Sequence, residues 1–338
     1  MSMEKLISYI LPAYNVEKFI TECLASLVKQ NISVEEYEII VINDGSTDGT
    51  EKKVQAFIAE NPEYDIILIS KQNAGVSAAR NTGLASASGK YVWFVDPDDF
   101  ILCNCMAELR PYLTADEIYL FYLDAKSVEE ATAIDSEVVE HEISIDSKNK
   151  KEFKHCGPWT KIVSRQFLID EDIKFCERLA YGEDFLWNHM VSHNSKRGDH
   201  EYYINGFIYY YRMRKNSAYR SAKESRANNN RLYQNFAMLA EEYEKLKNDS
   251  RYAGKELELV TNQAKQAAVF ALVFLDQDYF RQEIKKLKNA GMYPYGLVWE
   301  DWKPGVSWKH TLVNWAMFFL PLKGYASLLN RIVGKRRK

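Results

Sequence analysis

The sequence predicts an α/β fold, a mostly parallel sheet with helices on both faces and a helical C-terminal extension. Three observations predict it. Apolar runs of strand length alternate with stretches of helical spacing through the first 125 residues. Residues 90–95 read Lys-Tyr-Val-Trp-Phe-Val, mostly β-branched or aromatic, as a buried strand does. A polar motif follows each of four strands, which brings those motifs to one edge of the sheet, where ligands of such sheets sit.

The elements follow in order. Residues 6–11 form an apolar strand, and 16–29 carry helical spacing. Residues 37–42 are a second strand, ending in Asn43-Asp44-Gly45-Ser46. A helix is expected over 50–60, capped by Asp48 with Glu51 three residues on. Strand 65–70 and helix 76–87 come next, the helix stopped by Ser88-Gly89. Residues 91–95 form the fourth strand, and 117–123 read as another. Residues 124–154 are polar and charged, with a weak alternating piece at 138–145, and read as an excursion across a cleft. Order returns at 157–168, then a helix at 179–193 and an aromatic-rich strand at 206–213. Residues 224–247 and 256–289 have helical spacing. The expected domains are 1–220 for the sheet, 221–302 for a helical extension and 303–338 for a basic tail.

The composition is ordinary for a globular chain of 338 residues, at 46% hydrophobic and 27% charged. The charge is uneven. Residues 303–338 hold eight Lys or Arg and no acid, leaving −11 on the first 302 residues of a chain whose net charge is −3. A basic end on an acidic body points to an anionic partner for that end. Five cysteines and an N-terminus without an apolar signal core favour a reducing cytosol. Cys103 and Cys105 lack a second pair at zinc spacing and read as buried thiols. No run reaches the ~18 apolar residues of a membrane span. Nucleic-acid binding is excluded as a leading class, because the basic residues concentrate in a hydrophobic terminus.

Asp96-Pro97-Asp98-Asp99 is the motif with the most chemistry. Three carboxylates at a strand end repel one another, a cost a fold accepts where a cation binds. A solvated turn in which Asp98 or Asp99 caps the next helix is the other reading. Asp44 can accept from a nucleobase N–H or close an Asx-turn. Gly75 opens the helix carrying Arg80, where free backbone N–H groups would suit a phosphate, though Arg80 can equally pair with an Asp of the cluster. Glu183 and Asp184 stand where a helix begins, either as favoured first-turn acids or with one as a general base. His189 and His193 share a helix face without a third ligand. Trp159, Lys161 and Arg212 are candidates for a donor or acceptor pocket, although buried aromatics serve cores as often.

Pro12-Ala13-Tyr14-Asn15, residues 43–50 (NDGSTDGT), residues 73–81 (NAGVSAARN), Asp96-Pro97-Asp98-Asp99 and Gly182-Glu183-Asp184 occur in that order. Together they resemble the inverting family 2 glycosyltransferases of GT-A (Rossmann-like) fold, similar to bacterial members that build capsule, O-antigen or exopolysaccharide chains. The resemblance implies that Pro12, Ala13, Tyr14, Asn15, Asp44, Gly75, Arg80 and Asp96 bind a nucleotide-sugar, UDP-linked by expectation. It implies that Asp96, Asp98 and Asp99 hold Mn²⁺ or Mg²⁺, and that Asp184, or else Glu183, is the base.

The apolar stretch around Trp308–Leu320 ahead of Lys335-Arg336-Arg337-Lys338 reads as an interfacial segment that docks on an anionic membrane surface. A terminal helix packed on the domain is the other reading. The implied location is cytoplasmic, peripheral on the inner face of the membrane, with a glycan or lipid-linked acceptor. Two other functions stay open. A nucleotidyltransferase on a similar sheet would carry a Gly-rich, basic signature near its N-terminus, which residues 6–15 lack. The third is a non-catalytic nucleotide-sugar- or membrane-binding protein.

Overall fold

The computed structural model describes residues 5–114, 120–132, 144–146, 157–179, 183–195 and 201–214. Nearly all of them belong to one compact unit, Met1–Glu177 with Gly182–Ser217; Arg178–Tyr181 with Ala218–Lys338 form a second. The expected helices at 224–247 and 256–289, and the basic tail, lie outside the described residues.

The first half alternates as expected: β1 (Ile7–Ala13), α1 (Ile20–Val28), β2 (Tyr37–Asp44), α2 (Thr50–Glu60), β3 (Ile66–Lys71), α3 (Val76–Ser86) and β4 (Tyr91–Phe94). Then come β5 (Phe100–Ile101), α4 (Cys105–Leu113), β6 (Leu120–Glu129), β7 (Ser144–Asp146), β8 (Lys161–Ser164), α5 (Arg165–Asp170), α6 (Glu183–Ser195) and β9 (Glu201–Met213). They make one sheet in the order β3-β2-β1-β4-β8-β6-β9-β5, with β7 paired to β9. The strands β3, β2, β1 and β4 are mutually parallel. Beyond β4 the sheet is mixed: β8 runs antiparallel to β4 and β6, while β6 and β9 are parallel.

Alternation along the strands divides the core in two. Tyr9, Leu11, Ile39, Val41 and Trp93 pack with Ile20 and Leu24 of α1, Val54 of α2 and Met106 of α4. Ile10, Ile40, Ile42 and Phe94 pack on the other face with Ala79 of α3, Phe167 of α5 and Trp187 of α6. Both faces are therefore covered, and the parallel strands are buried along their whole length apart from β3.

Several boundaries differ from expectation for tertiary reasons. The helix expected from residue 16 begins at Ile20, because the Val16 N–H donates to Thr50 Oγ1 and the Glu17 N–H to Asp48 Oδ2. Those bonds tie the stretch ahead of α1 to the β2–α2 loop. Glu51 closes no capping box. Its carboxylate accepts from Asn43 Nδ2 and Ser70 Oγ instead, while Asp48 Oδ1 accepts the Thr50 N–H. Strand β6 continues to Glu129, into the stretch read as an excursion, since parallel pairing with β9 outweighs its polar composition. Helix α4 follows the acidic turn but starts from Asn104 and not from a cap on Asp98 or Asp99, and Pro111 inside it argues against a helix in sequence terms.

Candidate active site

The carboxyl ends of β1, β2, β3 and β4 open onto four loops, and their polar side chains hold one another. Asn15, at φ 52°, accepts the Thr47 N–H through Oδ1 at 2.8 Å, and its own N–H donates to Ser46 Oγ at 3.1 Å. The β1 and β2 loops are thereby joined. Tyr14 beside it is 50% exposed. Pro12 and Ala13 are the last residues of β1 and are buried in the sheet.

Asp44 is buried and turned inward. Its two oxygens accept the N–H groups of Ala74 at 3.0 Å and Gly75 at 2.8 Å. The N–H of Gly75 is thus already donated to Asp44, which differs from the expectation of a free donor for phosphate. The turn that follows is closed by Asn43, whose Oδ1 accepts the Ser46 N–H. Gly75 takes φ 92° at the start of α3, a left-handed conformation that favours glycine.

Arg80, one and a half turns into α3, is buried between two loops. Its Nη2 lies 3.3 Å from Asp96 Oδ1 and its Nη1 3.2 Å from Glu183 Oε1. The guanidinium also stands over the Phe175 ring, 5.1 Å from its centre. Arg80 therefore joins the acidic turn after β4 to the first turn of α6. Burial pushes the Glu183 carboxyl up to about 7, with the charge of Asp184 adding to the rise and Arg80 opposing it. Asp184 follows in the same turn and is partly exposed.

The three aspartates have different surroundings. Asp96 keeps 27% side-chain exposure. Asp98 pairs with Arg214, Oδ2 to Nε 2.5 Å. Burial raises the Asp98 carboxyl to about 6, Arg214 opposing and Asp96 adding to the rise. Asp99 is fully enclosed. Its Oδ2 accepts the Tyr209 hydroxyl at 2.7 Å and its Oδ1 the Arg212 N–H at 2.7 Å. Burial, then the charges of Asp98 and Asp96, hold its carboxyl well above the usual range. Asp99, expected from the sequence as a metal ligand, thus accepts from inside the protein through both oxygens and anchors the turn.

Among the described residues no group of three His, Cys, Asp or Glu side chains converges as a metal site. Asp96 and Asp98 alone still fit Mg²⁺ or Mn²⁺. Such ions take one or two carboxylates and complete their shell with substrate phosphates. Cys23, Cys103, Cys105 and Cys176 form no disulfide, and the His189 and His193 side chains lie outside the description.

Trp159, Lys161 and Arg212, the residues expected at a donor or acceptor pocket, are 6%, 5% and 4% exposed and bond to elements that carry the site. Trp159 stacks on Tyr209 at 4.6 Å between ring centres. The Tyr209 hydroxyl in turn accepts the Asp96 N–H at 3.1 Å while donating to Asp99. Lys161 Nζ donates to Asn188 Oδ1 at 2.5 Å and so ties β8 to α6, the helix that carries Glu183 and Asp184. Arg212 donates to the Asp98, Glu130 and Thr132 carbonyls and to Glu22 Oε2. Arg214 is the site residue that sequence reasoning missed. It lies just past the end of β9, two residues after Arg212, a spacing that would put both on one face if the extended backbone continues.

Residues 8–166 match the protein family described as Glycosyl transferase family 2. Glycosyltransferase GlyA of Streptococcus pneumoniae is 31% identical over 231 residues, 64% of this chain and 32% of that protein. The minor teichoic acid biosynthesis protein GgaB of Bacillus subtilis is 30% identical over 237 residues, 65% of this chain and 24% of that protein. The chain thus spans between a quarter and a third of the length of these relatives. Among solved structures, Staphylococcus aureus TarS 1–349 in complex with UDP-GlcNAc superposes with a TM-score of 0.53 at 23% identity, covering 85% of this chain and 89% of that one. Mannosyltransferase PcManGT from Pyrobaculum calidifontis, in complex with GDP-Man and Mn²⁺, superposes with a TM-score of 0.52 at 15% identity, covering 98% of this chain and 86% of that one. These two likenesses establish a shared fold, the GT-A arrangement. Residues 8–166 are thus similar to the glycosyl transferase family 2 domain, and the sheet that holds them has the GT-A fold of these solved structures.

Proposed function

We propose that the chain is an inverting glycosyltransferase that moves a sugar from a UDP-sugar to a hydroxyl of a glycan or lipid-linked acceptor in bacterial surface-polymer synthesis. The observation that carries this reading is the Arg80 bridge. It draws Asp96 and Glu183, from two distant loops, into one polar cluster at the carboxyl edge of the sheet. Support comes from GgaB, named for teichoic acid synthesis, and from TarS, named a poly(ribitol-phosphate) beta-N-acetylglucosaminyltransferase and solved with UDP-GlcNAc.

In this reading the exposed Tyr14 ring meets the base, and Asn15 fixes the loop that carries it. Asp44 acts through the loop it holds, shaping the 74–75 backbone around the donor. Asp96 and Asp98 hold Mn²⁺ or Mg²⁺, as the Mn²⁺ bound in PcManGT encourages. The ion, when bound, offsets charge on the diphosphate leaving group. Asp184 takes the proton from the acceptor hydroxyl, whose oxygen attacks the anomeric carbon from the face opposite the nucleotide. Glu183 is buried and held by Arg80, whereas Asp184 keeps partial exposure on the same turn and is the base in this reading. Attachment to an anionic membrane through residues 303–338 belongs to the same proposal. No helix among the described residues is long and apolar enough to cross a membrane.

A panel of nucleotide-sugars tested with Mn²⁺ for thermal shift and for slow hydrolysis checks the reading. Stabilisation and turnover with one UDP-sugar is the expected result. No response to any nucleotide-sugar overturns it.

A further inference from the structure

We propose that Arg214 is a tethered counter-ion that occupies Asp98 in the donor-free protein and yields that carboxylate to the divalent cation. The inference rests on the reading that Asp96 and Asp98 hold the ion. The acidic turn packs three carboxylates into four residues, and three arginines answer them, but unequally. Arg80 is 6% exposed in its side chain and shared between Asp96 and Glu183. Arg212 is 3% exposed, spends its charge on Glu22, and is fixed by three backbone carbonyls besides. Neither can leave without stranding several buried partners. Arg214 differs. Its side chain is 26% exposed, its carboxylate contact is Asp98 Oδ2, and its guanidinium rests on the Phe19 ring, 5.6 Å from the centre.

A guanidinium at 2.5 Å from Asp98 Oδ2 and a divalent ion on the same oxygen exclude each other, by volume and by like charge. Ion binding by itself is therefore weakened by the need to displace Arg214. A diphosphate arriving with the ion reverses this, because the displaced guanidinium then meets an anion. Ion and nucleotide consequently bind with positive coupling, each raising the affinity of the other by the same factor. Arg214 is a positioning residue in this scheme, and its removal strengthens one step while weakening the coupling. A purely structural arginine would do neither.

The test measures Mn²⁺ binding by electron paramagnetic resonance, on the full chain, with and without UDP, after thermal unfolding has confirmed that each variant is folded. Arg214→Met is expected to bind Mn²⁺ alone more tightly than the parent, by about fivefold for a pair this exposed. UDP should then enhance Mn²⁺ binding less than in the parent, with Arg214→Lys intermediate. If Arg214→Met binds Mn²⁺ no more tightly while Asp98→Asn weakens binding, Asp98 is a ligand but Arg214 is no competitor, and the inference falls alone. If Asp96→Asn and Asp98→Asn leave Mn²⁺ binding unchanged with UDP present, the metal reading fails and takes the inference with it.

Discussion

Replacing Arg80 with Met removes the one cation between Asp96 and Glu183, and the cost should depend on pH. Asp96 keeps 27% of its side-chain surface in water, so solvent screens its loss. Glu183 does not have that relief, at 11% side-chain exposure. Its carboxyl already titrates near 7 instead of 4.5, chiefly from burial. A carboxyl whose folded pKa lies above its unfolded one binds its proton more tightly when folded. Its contribution to stability is then full below about 4.5 and is lost as pH rises through about 7. Without Arg80 the folded value climbs further. At pH 5.5 Glu183 is protonated in both proteins, and the variant loses only the Asp96 pair and packing on Phe175, about 1–2 kcal/mol. At pH 8.5 the parent holds an ionised, paired Glu183, whereas the variant must keep a proton or bury a bare charge. Each pKa unit is worth about 1.4 kcal/mol, so a further rise of about 1.5 units brings the loss to about 3–4 kcal/mol. Urea unfolding at the two pH values measures this. The double variant Arg80→Met with Glu183→Gln should be nearly pH-independent. An equal loss for Arg80→Met at both values would refute the reasoning.

Three further outcomes follow from the same geometry. Asp184→Asn should reduce sugar transfer by a thousandfold or more, on the order expected for a lost base, while calorimetry shows donor affinity nearly unchanged; lost donor affinity counts against the base assignment. Asp99→Ala removes the acceptor of the Tyr209 O–H and of the Arg212 N–H, and should lower stability by about 2–4 kcal/mol in urea unfolding; a neutral effect would mean that Asp99 is no anchor. Gly83→Ala should destabilise by about 1–3 kcal/mol despite better helix propensity, because the added methyl runs into Ile10 across the α3–β1 contact; a rise in melting temperature would show that α3 can shift.

The alternation of β1 to β4 with α1 to α3 was legible because each strand is an apolar run and each helix has its own spacing. Local pattern is enough where partners are sequential neighbours. The second half was less legible. Polar residues 124–129 are strand only because β9 pairs with them, and α4 forms around Pro111 because Cys105, Met106 and Leu109 have a core to fill. The site divides in the same way. The acidic turn and the Glu183-Asp184 pair could be named from the residues, since carboxylates at a strand end and a helix start have few uses.

The sequence by itself determined the fold class, the sheet edge that carries the polar loops, and the residue types gathered there. Only the tertiary structure decided their roles. It turned Asp99 and Asp44 inward, tied Trp159 to Tyr209 and Lys161 to Asn188, and brought Arg80 and Arg214 to different aspartates of one turn. The physical reason is that a carboxylate's role depends on which donors and how much water surround it. Those surroundings come from Tyr209, Glu183 and Arg214, which lie more than 100 residues away along the chain from the aspartates and arginine they contact.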